Sequence, residues 1–331
     1  MRAEVSISGY GLRKQEHERR HLLTRLKIRS RKLANDRNQR NVPDCFATVT
    51  AAMTLPLSPL TAMASAVTLG IADFTGGIAG RRSSAPSVAI GVESVGLVAV
   101  PLAFVLLPHG WDPQAALQAF AGGGVGGLGL LAFYRAMSMN LIGVVAPITG
   151  FVAAALPVAV GLIGGDHLQV WQLGGIAVGL AALVLINGPS RDGAGNPRLG
   201  VALALFAGVT FGVFFILFHA ASHAGVTAFV SGRFGSMTAA IAVAAVSRTP
   251  PLLRRSAVRL VAVGGLFDGT GVVLYLYATH TGLLSVTALL TSFYPAFTVL
   301  CARLFTHERM TPLQALGAAL AVVAIAMIAV S

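Results

Sequence analysis

Charged residues are scarce in this chain, and what is missing excludes several classes of protein. Only 11% of the 331 residues are charged and 55% are hydrophobic, whereas a soluble domain carries about 25% charged residues. The only two cysteines, Cys45 and Cys301, have no disulfide or metal-site spacing, so we expect two free thiols. No serine–histidine, paired-aspartate or histidine-rich pattern falls at matching depths. The sequence therefore predicts no enzyme, no metal and no cofactor.

Lysine is absent after residue 32, and this change in composition separates a basic tail from the rest. Half of the 24 Lys and Arg residues lie before residue 41. Segment 13–40 has no apolar core of about 7–15 residues, so it is not a secretory signal. We predict that 1–57 is a disordered, solvated tail. Two alternatives stay open: a surface helix on anionic lipid headgroups, and an over-extended start, with Met53 or Met63 as the first residue.

The tail is also unsuited to nucleic acid. It has no aromatic residues interleaved with its basic residues and no recognisable nucleic-acid-binding module. We therefore predict no nucleic-acid partner.

Ten apolar runs follow the tail, each about as long as a helix that crosses a hydrocarbon core of about 30 Å. Several begin with a capping residue and a proline, such as Asp112-Pro113 and Thr311-Pro312, a pattern that favours a helix start. The runs cover 59–80, 86–107, 114–138, 141–163, 169–187, 198–218, 226–247, 257–278, 283–305 and 312–330. The sequence thus predicts an all-α polytopic membrane protein with ten transmembrane helices.

The second half of the chain repeats the first at an offset of 142 residues without a gap. Thr149 matches Thr291, and Asp166 falls on Glu308, so an acidic turn repeats as well. Each half has five spans, an odd number, and the second copy must enter the membrane in the opposite sense. We therefore predict two inverted five-helix repeats. The predicted first repeat, linker and second repeat are 58–188, 189–197 and 198–331.

A duplicated five-helix repeat with an acidic turn before its last helix resembles the EamA family of the drug/metabolite transporter superfamily. The resemblance is carried most closely by Glu308, Arg309, Gln314 and Gly317. The first half departs from this pattern, because Asp166 and His167 stand in place of Glu-Arg. The resemblance covers about 58–331. It implies a transporter of amino acids, nucleotide sugars, metabolites or drugs, without choosing among them.

Two observations disagree about orientation in the membrane. The loops that contain Arg81, Arg198, Arg248 and Arg255 share one side, and the opposite loops contain no Arg or Lys. The positive-inside rule places the arginine loops in the cytoplasm and both ends of the membrane part outside. The basic tail and the family resemblance favour both ends inside. We predict a multi-pass protein of the cell inner membrane and leave its orientation, and a homodimeric assembly, open.

Ionisable side chains within the apolar spans mark the candidate site, because each costs at least about 2.5–3.5 kcal/mol in a bilayer. At the 142-residue offset, Arg233 falls on Gly91, two residues from Glu93. Inverted repeats meet around the midplane, so we predict that Glu93, Arg233 and Asp268 line one cavity. This cluster binds substrate or protons in one interpretation and is a buried structural ion pair in the other. We expect Glu93 or Asp268 to couple protons and Arg233 to bind an anionic group such as a carboxylate.

Five further residues are candidates for the same cavity. Tyr275, Thr291 and Tyr294 are predicted to face it, with hydroxyls suited to an amphipathic or aromatic solute, although tyrosines near span ends often form an interfacial belt. Asp73 and Arg135 are secondary candidates. Both lie near span ends, where Asp73 could instead pair with an arginine at headgroup level and Arg135 could reach the interface.

The sequence as a whole predicts a secondary transporter that moves a small organic metabolite or drug-like solute by alternating access. Proton coupling is a further hypothesis. The alternative is a non-transporting membrane protein that handles lipids or serves as a scaffold. A fully packed interior without a cavity around Arg233 would favour that alternative.

Overall fold

The computed structural model describes residues 57–139, 142–186, 197–250, 252–306 and 312–329. The predictions for the basic tail, for the linker up to residue 196 and for Glu308 and Arg309 lie outside the described residues. Within them the chain forms α-helices and short 3-10 turns, and no strand. The α-helices are α1 Leu57–Gly80, α2 Ala85–Gly96, α3 Val100–Leu106, α4 Pro113–Ser138, α5 Ile142–Ile163, α6 Val170–Ile186, α7 Pro197–Ala220, α8 Val226–Val246, α9 Arg255–Thr281, α10 Leu284–Thr291, α11 Tyr294–Thr306 and α12 Pro312–Ala329.

Seven helical segments of the described chain are long and apolar enough to cross a membrane. They are Leu57–Gly80, Ala85–Leu106, Pro113–Ser138, Arg198–Ala220, Val226–Val246, Arg255–Thr281 and Leu284–Ala302. Two of them are interrupted, one between α2 and α3 and one between α10 and α11. Helices α5, α6 and α12 overlap the other three predicted spans. The protein is an all-helical membrane protein, and the count of ten spans stays a prediction.

Glycines let helices from the two halves of the chain approach closely at the centre. Helix α4 packs on α7 and α8, and α9 packs on α1 and α2. A Cβ atom added at Gly123 in α4 would lie 2.6 Å from the carbonyl carbon of Gly232 in α8. In α9, a Cβ atom at Gly265 would lie 2.7 Å from the carbonyl oxygen of Val92. Side chains at these positions would push the backbones apart.

The polar loops meet at two ends of the helix bundle. At one end, Arg82 Nη1 donates to the carbonyl oxygen of Ser256 at 3.0 Å. At the other end, His223 and Asp112 form an ion pair at 2.9 Å, and Asp166 accepts a hydrogen bond from the backbone N–H of Ser285 at 2.9 Å. Arginine-bearing loops are thus in contact with each other, and so are the loops that lack arginine.

Equivalent hydrogen bonds join the helices of the two halves. Thr149 Oγ1 on α5 donates to the carbonyl oxygen of Ala204 on α7 at 3.1 Å. Thr291 Oγ1 on α10 donates to the carbonyl oxygen of Ala62 on α1 at 3.5 Å. Both donors and both acceptors are related by the 142-residue offset of the sequence repeat. The same contact is therefore made twice, once in each direction between the halves.

Candidate functional site

A buried arginine connects three helices at the centre of the bundle. Arg233 on α8 has only 3% of its side chain exposed. Its Nη1 donates to Glu93 Oε2 on α2 at 2.6 Å and to a carboxylate oxygen of Asp268 on α9. Ser236, one turn further along α8, donates its hydroxyl to Glu93 Oε1 at 2.6 Å. Both carboxylate oxygens of Glu93 are therefore held by α8.

Neighbouring residues make room for the guanidinium group and support it. A Cβ atom at Gly96 would lie 2.9 Å from Arg233 Nη1, so a larger residue on α2 would collide with the charged group. The ring of Phe229, one turn before Arg233 on α8, lies 5.2 Å from the guanidinium carbon. At this distance the face of the ring attracts the cation. The arginine is thus held by two carboxylates and an aromatic ring.

The cluster lies near the middle of the membrane-spanning segments. Asp268 is thirteen residues from either end of α9, which is about 20 Å at 1.5 Å per residue. Glu93 is close to the 3-10 turn that separates α2 from α3. Tyr294 begins α11 after the break that follows α10, where Pro295 has no N–H to continue the helical hydrogen bonds. Interrupted helices at this depth are typical of transporter binding sites.

A cavity of about 80 Å³ lies beside the buried arginine. Its polar lining includes Asp73, Glu93, Arg233, Asp268 and Tyr294. Its apolar wall, which we call the phenylalanine wall, consists of Phe211, Phe214, Phe215, Phe218 and Phe229. The cavity has room for several water molecules or for a small solute group.

The charges around the cavity do not cancel. Three carboxyl groups and one guanidinium group have a formal charge of −2 when all four are ionised. Glu93 and Asp268 pair with Arg233, whereas Asp73 forms no ion pair or side-chain hydrogen bond with any described residue. Asp73 is only 7% exposed. Because an unpaired buried charge is costly, the cavity favours the uptake of a proton or another cation.

The cavity is also lined by two hydrogen-bond donors that have no acceptor among the described residues. Arg233 Nη2 and the hydroxyl of Tyr294 are buried and have no partner within the described residues. Both residues line the cavity. Buried donors without a partner are uncommon, and here they are available to water or to an acceptor group of a solute.

Three predicted site residues lie away from the cavity lining. The hydroxyl of Tyr275 donates to the carbonyl oxygen of Phe215 at 2.7 Å, so it joins α9 to α7 within the core. Thr291 makes the contact to α1 described above. Arg135, in the last turn of α4, is exposed. Each of these positions has a structural contact or solvent access that accounts for it without a role in binding.

Asp73 lies in the cavity rather than at headgroup level. The described residues show no ion pair between it and Arg81, which is exposed beyond the end of α1. The sequence reasoning missed the phenylalanine wall and Ser236. Phe211, Phe214 and Phe218 recur at spacings of three and four residues, which places them on one face of a helix. That spacing could have predicted a shared aromatic surface.

The fold and the cavity define a polytopic helical membrane protein with a charged cavity at the centre of its bundle. Residues 198–330, in the second half of the chain, match the EamA-like transporter family. This match confirms the resemblance found in the sequence and indicates a membrane transporter of the drug/metabolite type. The family is generally non-enzymatic.

Solved structures show the same fold. Nineteen chains match, and one of them, a protein crystal structure, aligns with a TM-score of 0.59 over 82% of this chain and 95% of its own. It is 19% identical in sequence, so the likeness concerns the fold alone. No curated protein sequence matches the chain.

Proposed function

We propose that this protein is a secondary transporter of the cell inner membrane, which moves a small organic solute by alternating access. The observation that carries the proposal is the cavity at mid-depth, lined by Asp73, Glu93, Arg233 and Asp268. Buried ion pairs contribute little net stability, and charged groups at this depth usually mark a transport pathway. A fully packed interior around Arg233 would have favoured a non-transporting protein, and the cavity does not fit that expectation.

Two inverted five-helix repeats would supply the mechanical part of the mechanism. The paired hydrogen bonds of Thr149 and Thr291 support this arrangement, because they follow the offset of the sequence repeat. The same offset relates two sets of helix contacts: α4 packs on α7 and α8, and α9 packs on α1 and α2. Rocking of one repeat against the other would open the cavity to each side of the membrane in turn.

Glu93 and Asp268 are the proposed proton-coupling groups. Both depend on the same Nη1 atom of Arg233, so protonation of one strengthens the hold of Arg233 on the other. Nη1 of Arg233 is already bound by two carboxylates, and an anionic solute at that atom would have to displace them. We therefore propose that Arg233 is chiefly the counter-ion of this pair, and that protons bind and leave at the two carboxyl groups.

The test is transport of a labelled metabolite panel in proteoliposomes, with and without a pH gradient. We expect gradient-dependent movement of one class of solute. Glu93→Gln or Asp268→Asn should abolish the dependence on the gradient, whereas Asp112→Asn, a change in an exposed loop carboxylate, should leave it intact. If folded protein moved no solute in either direction, the lipid-handling or scaffolding alternative would be favoured.

A further inference from the structure

Asp73 differs from the other two acids of the cavity because no described side chain holds it. It lies on α1, 7% exposed, and lines the same cavity as Asp268. Other buried polar groups on α1 are satisfied: Ser65 Oγ donates to the carbonyl oxygen of Gly271 at 2.7 Å, and Thr75 Oγ1 donates to the carbonyl oxygen of Ala72 at 3.0 Å. Asp73 is thus a free carboxyl group that faces the cavity.

The phenylalanine wall favours a positively charged partner as well. Aromatic rings have negative faces, which attract organic cations. Phe229 already contacts the guanidinium group of Arg233 in this way, and the rings of Phe211, Phe214, Phe215 and Phe218 form the remainder of the wall. A carboxyl group that no described side chain holds and several aromatic rings therefore border one small space.

The chemistry and size of this space narrow the choice of cation. The described residues contain no group of three or more His, Cys, Asp or Glu side chains that could hold a metal ion. The cavity of about 80 Å³ has room only for a small solute group. An organic cation with a short alkyl body fits both limits.

We propose that Asp73 binds the ammonium group of a small alkylammonium solute, whose alkyl part contacts the phenylalanine wall. The Glu93–Arg233–Asp268 cluster lies beside this solute and remains paired. This inference rests on the proposed transport function, since it names the substrate class for the same cavity. It differs from the carboxylate-bearing solute expected from the sequence, because Glu93 and Asp268 already hold Nη1 of Arg233.

Binding can be measured without transport, by ligand-observed NMR on the purified full-length protein in detergent. The probes are n-butylamine, 1-butanol and butyrate, which have four carbon atoms each and differ in charge. We expect the amine to bind at least about tenfold more tightly than the alcohol, the strength of a partly screened charge pair. Butyrate should bind weakest, because three carboxyl groups surround the space.

Substitutions test whether Asp73 is responsible for the preference for the amine. Asp73→Asn should reduce the affinity for butylamine to that for butanol and leave butanol binding unchanged. Asp73→Glu should keep the preference for the amine, and Asp112→Asn, outside the cavity, should have no effect. Equal binding of the three probes by the unmodified protein, no binding of any, or tightest binding of butyrate would overturn the proposal. Undiminished amine preference in Asp73→Asn would also overturn it.

The outcomes separate this inference from the proposed function. Asp73-dependent binding of butylamine by a protein that transports nothing would support the site and contradict the transporter. Proton-driven transport of an anionic solute, without binding of butylamine, would support the transporter and contradict the site.

Discussion

Removing the positive charge from the Glu93–Arg233–Asp268 cluster should destabilise the protein strongly. In Arg233→Gln, Glu93 and Asp268 would lose the Nη1 donor they share and remain as two acids without a counter-ion. The side chain of Arg233 is 3% exposed, so the two acids would have little contact with bulk water. Breaking a buried pair by removal of one partner costs about 3–5 kcal/mol. We expect a loss in this range.

Removing all three charges should cost much less. The triple variant Glu93→Gln, Arg233→Gln and Asp268→Asn has no uncompensated buried charge, so it lacks the largest cost of the single variant. Arg135→Gln is the matched control, because Arg135 is exposed on α4 and a surface change is usually within about 0.5 kcal/mol.

The measurement is the free energy of unfolding in detergent micelles titrated with a denaturing detergent. The order expected from most to least stable is the unmodified protein and Arg135→Gln, then the triple variant, then Arg233→Gln. Two results would refute the reasoning: a loss in Arg233→Gln no greater than in Arg135→Gln, or a triple variant as unstable as the single one.

Three further predictions concern packing, hydrogen bonding and pH. Gly123→Ala should destabilise the protein by about 1–3 kcal/mol, because the added Cβ would overlap the α8 backbone. The nearest atom to a Cβ at Gly124 is 3.7 Å away, so Gly124→Ala should be tolerated. Unfolding in detergent compares the stability of the two variants. Tyr275→Phe should cost about 0.5–1.5 kcal/mol of stability, because it loses the hydrogen bond to α7. Tyr294→Phe removes a hydroxyl that has no hydrogen-bond partner among the described residues, so it should be nearly neutral to stability in the same assay. The pKa of Asp112 is lowered because its carboxylate accepts a hydrogen bond from the His223 side chain and another from the α4 backbone. The contribution of Asp112 to stability should therefore be complete above its ordinary pKa of about 3.9 and be lost as the pH falls below that value. A plot of the free energy of unfolding against pH should show this loss for the unmodified protein and not for Asp112→Asn.

The position of Arg233 shows how much of the candidate site could be predicted from the sequence repeat. The offset of 142 residues placed it at nearly the same level as Glu93, and the two groups are 2.6 Å apart in the structure. Depth along a span follows from counting residues, because a helix rises by a constant amount. The membrane class and the family also follow from the chain alone, since they depend on the length, spacing and pattern of apolar runs.

Asp73 and the tyrosines show what counting residues along a helix does not predict. Tyr275 and Tyr294 are both tyrosines within apolar spans, yet one donates to a backbone carbonyl and the other has a free hydroxyl at the cavity. Asp73 lies nearer a span end than Asp268 but lines the same cavity. In both cases the rotation of each helix about its axis decides what a side chain meets.

The sequence by itself determined the helical membrane class, the duplication and the depth of the buried charges, because these depend on hydropathy and spacing along one chain. Only the tertiary structure decided that Arg233 is shared by two acids, that no described side chain holds Asp73 and that Asp73 lines the same cavity as the phenylalanine wall. The reason is that partners across a bundle are set by helix rotation and close approach. Here these depend on glycines such as Gly123 and Gly265, whose lack of a side chain lets the backbones meet.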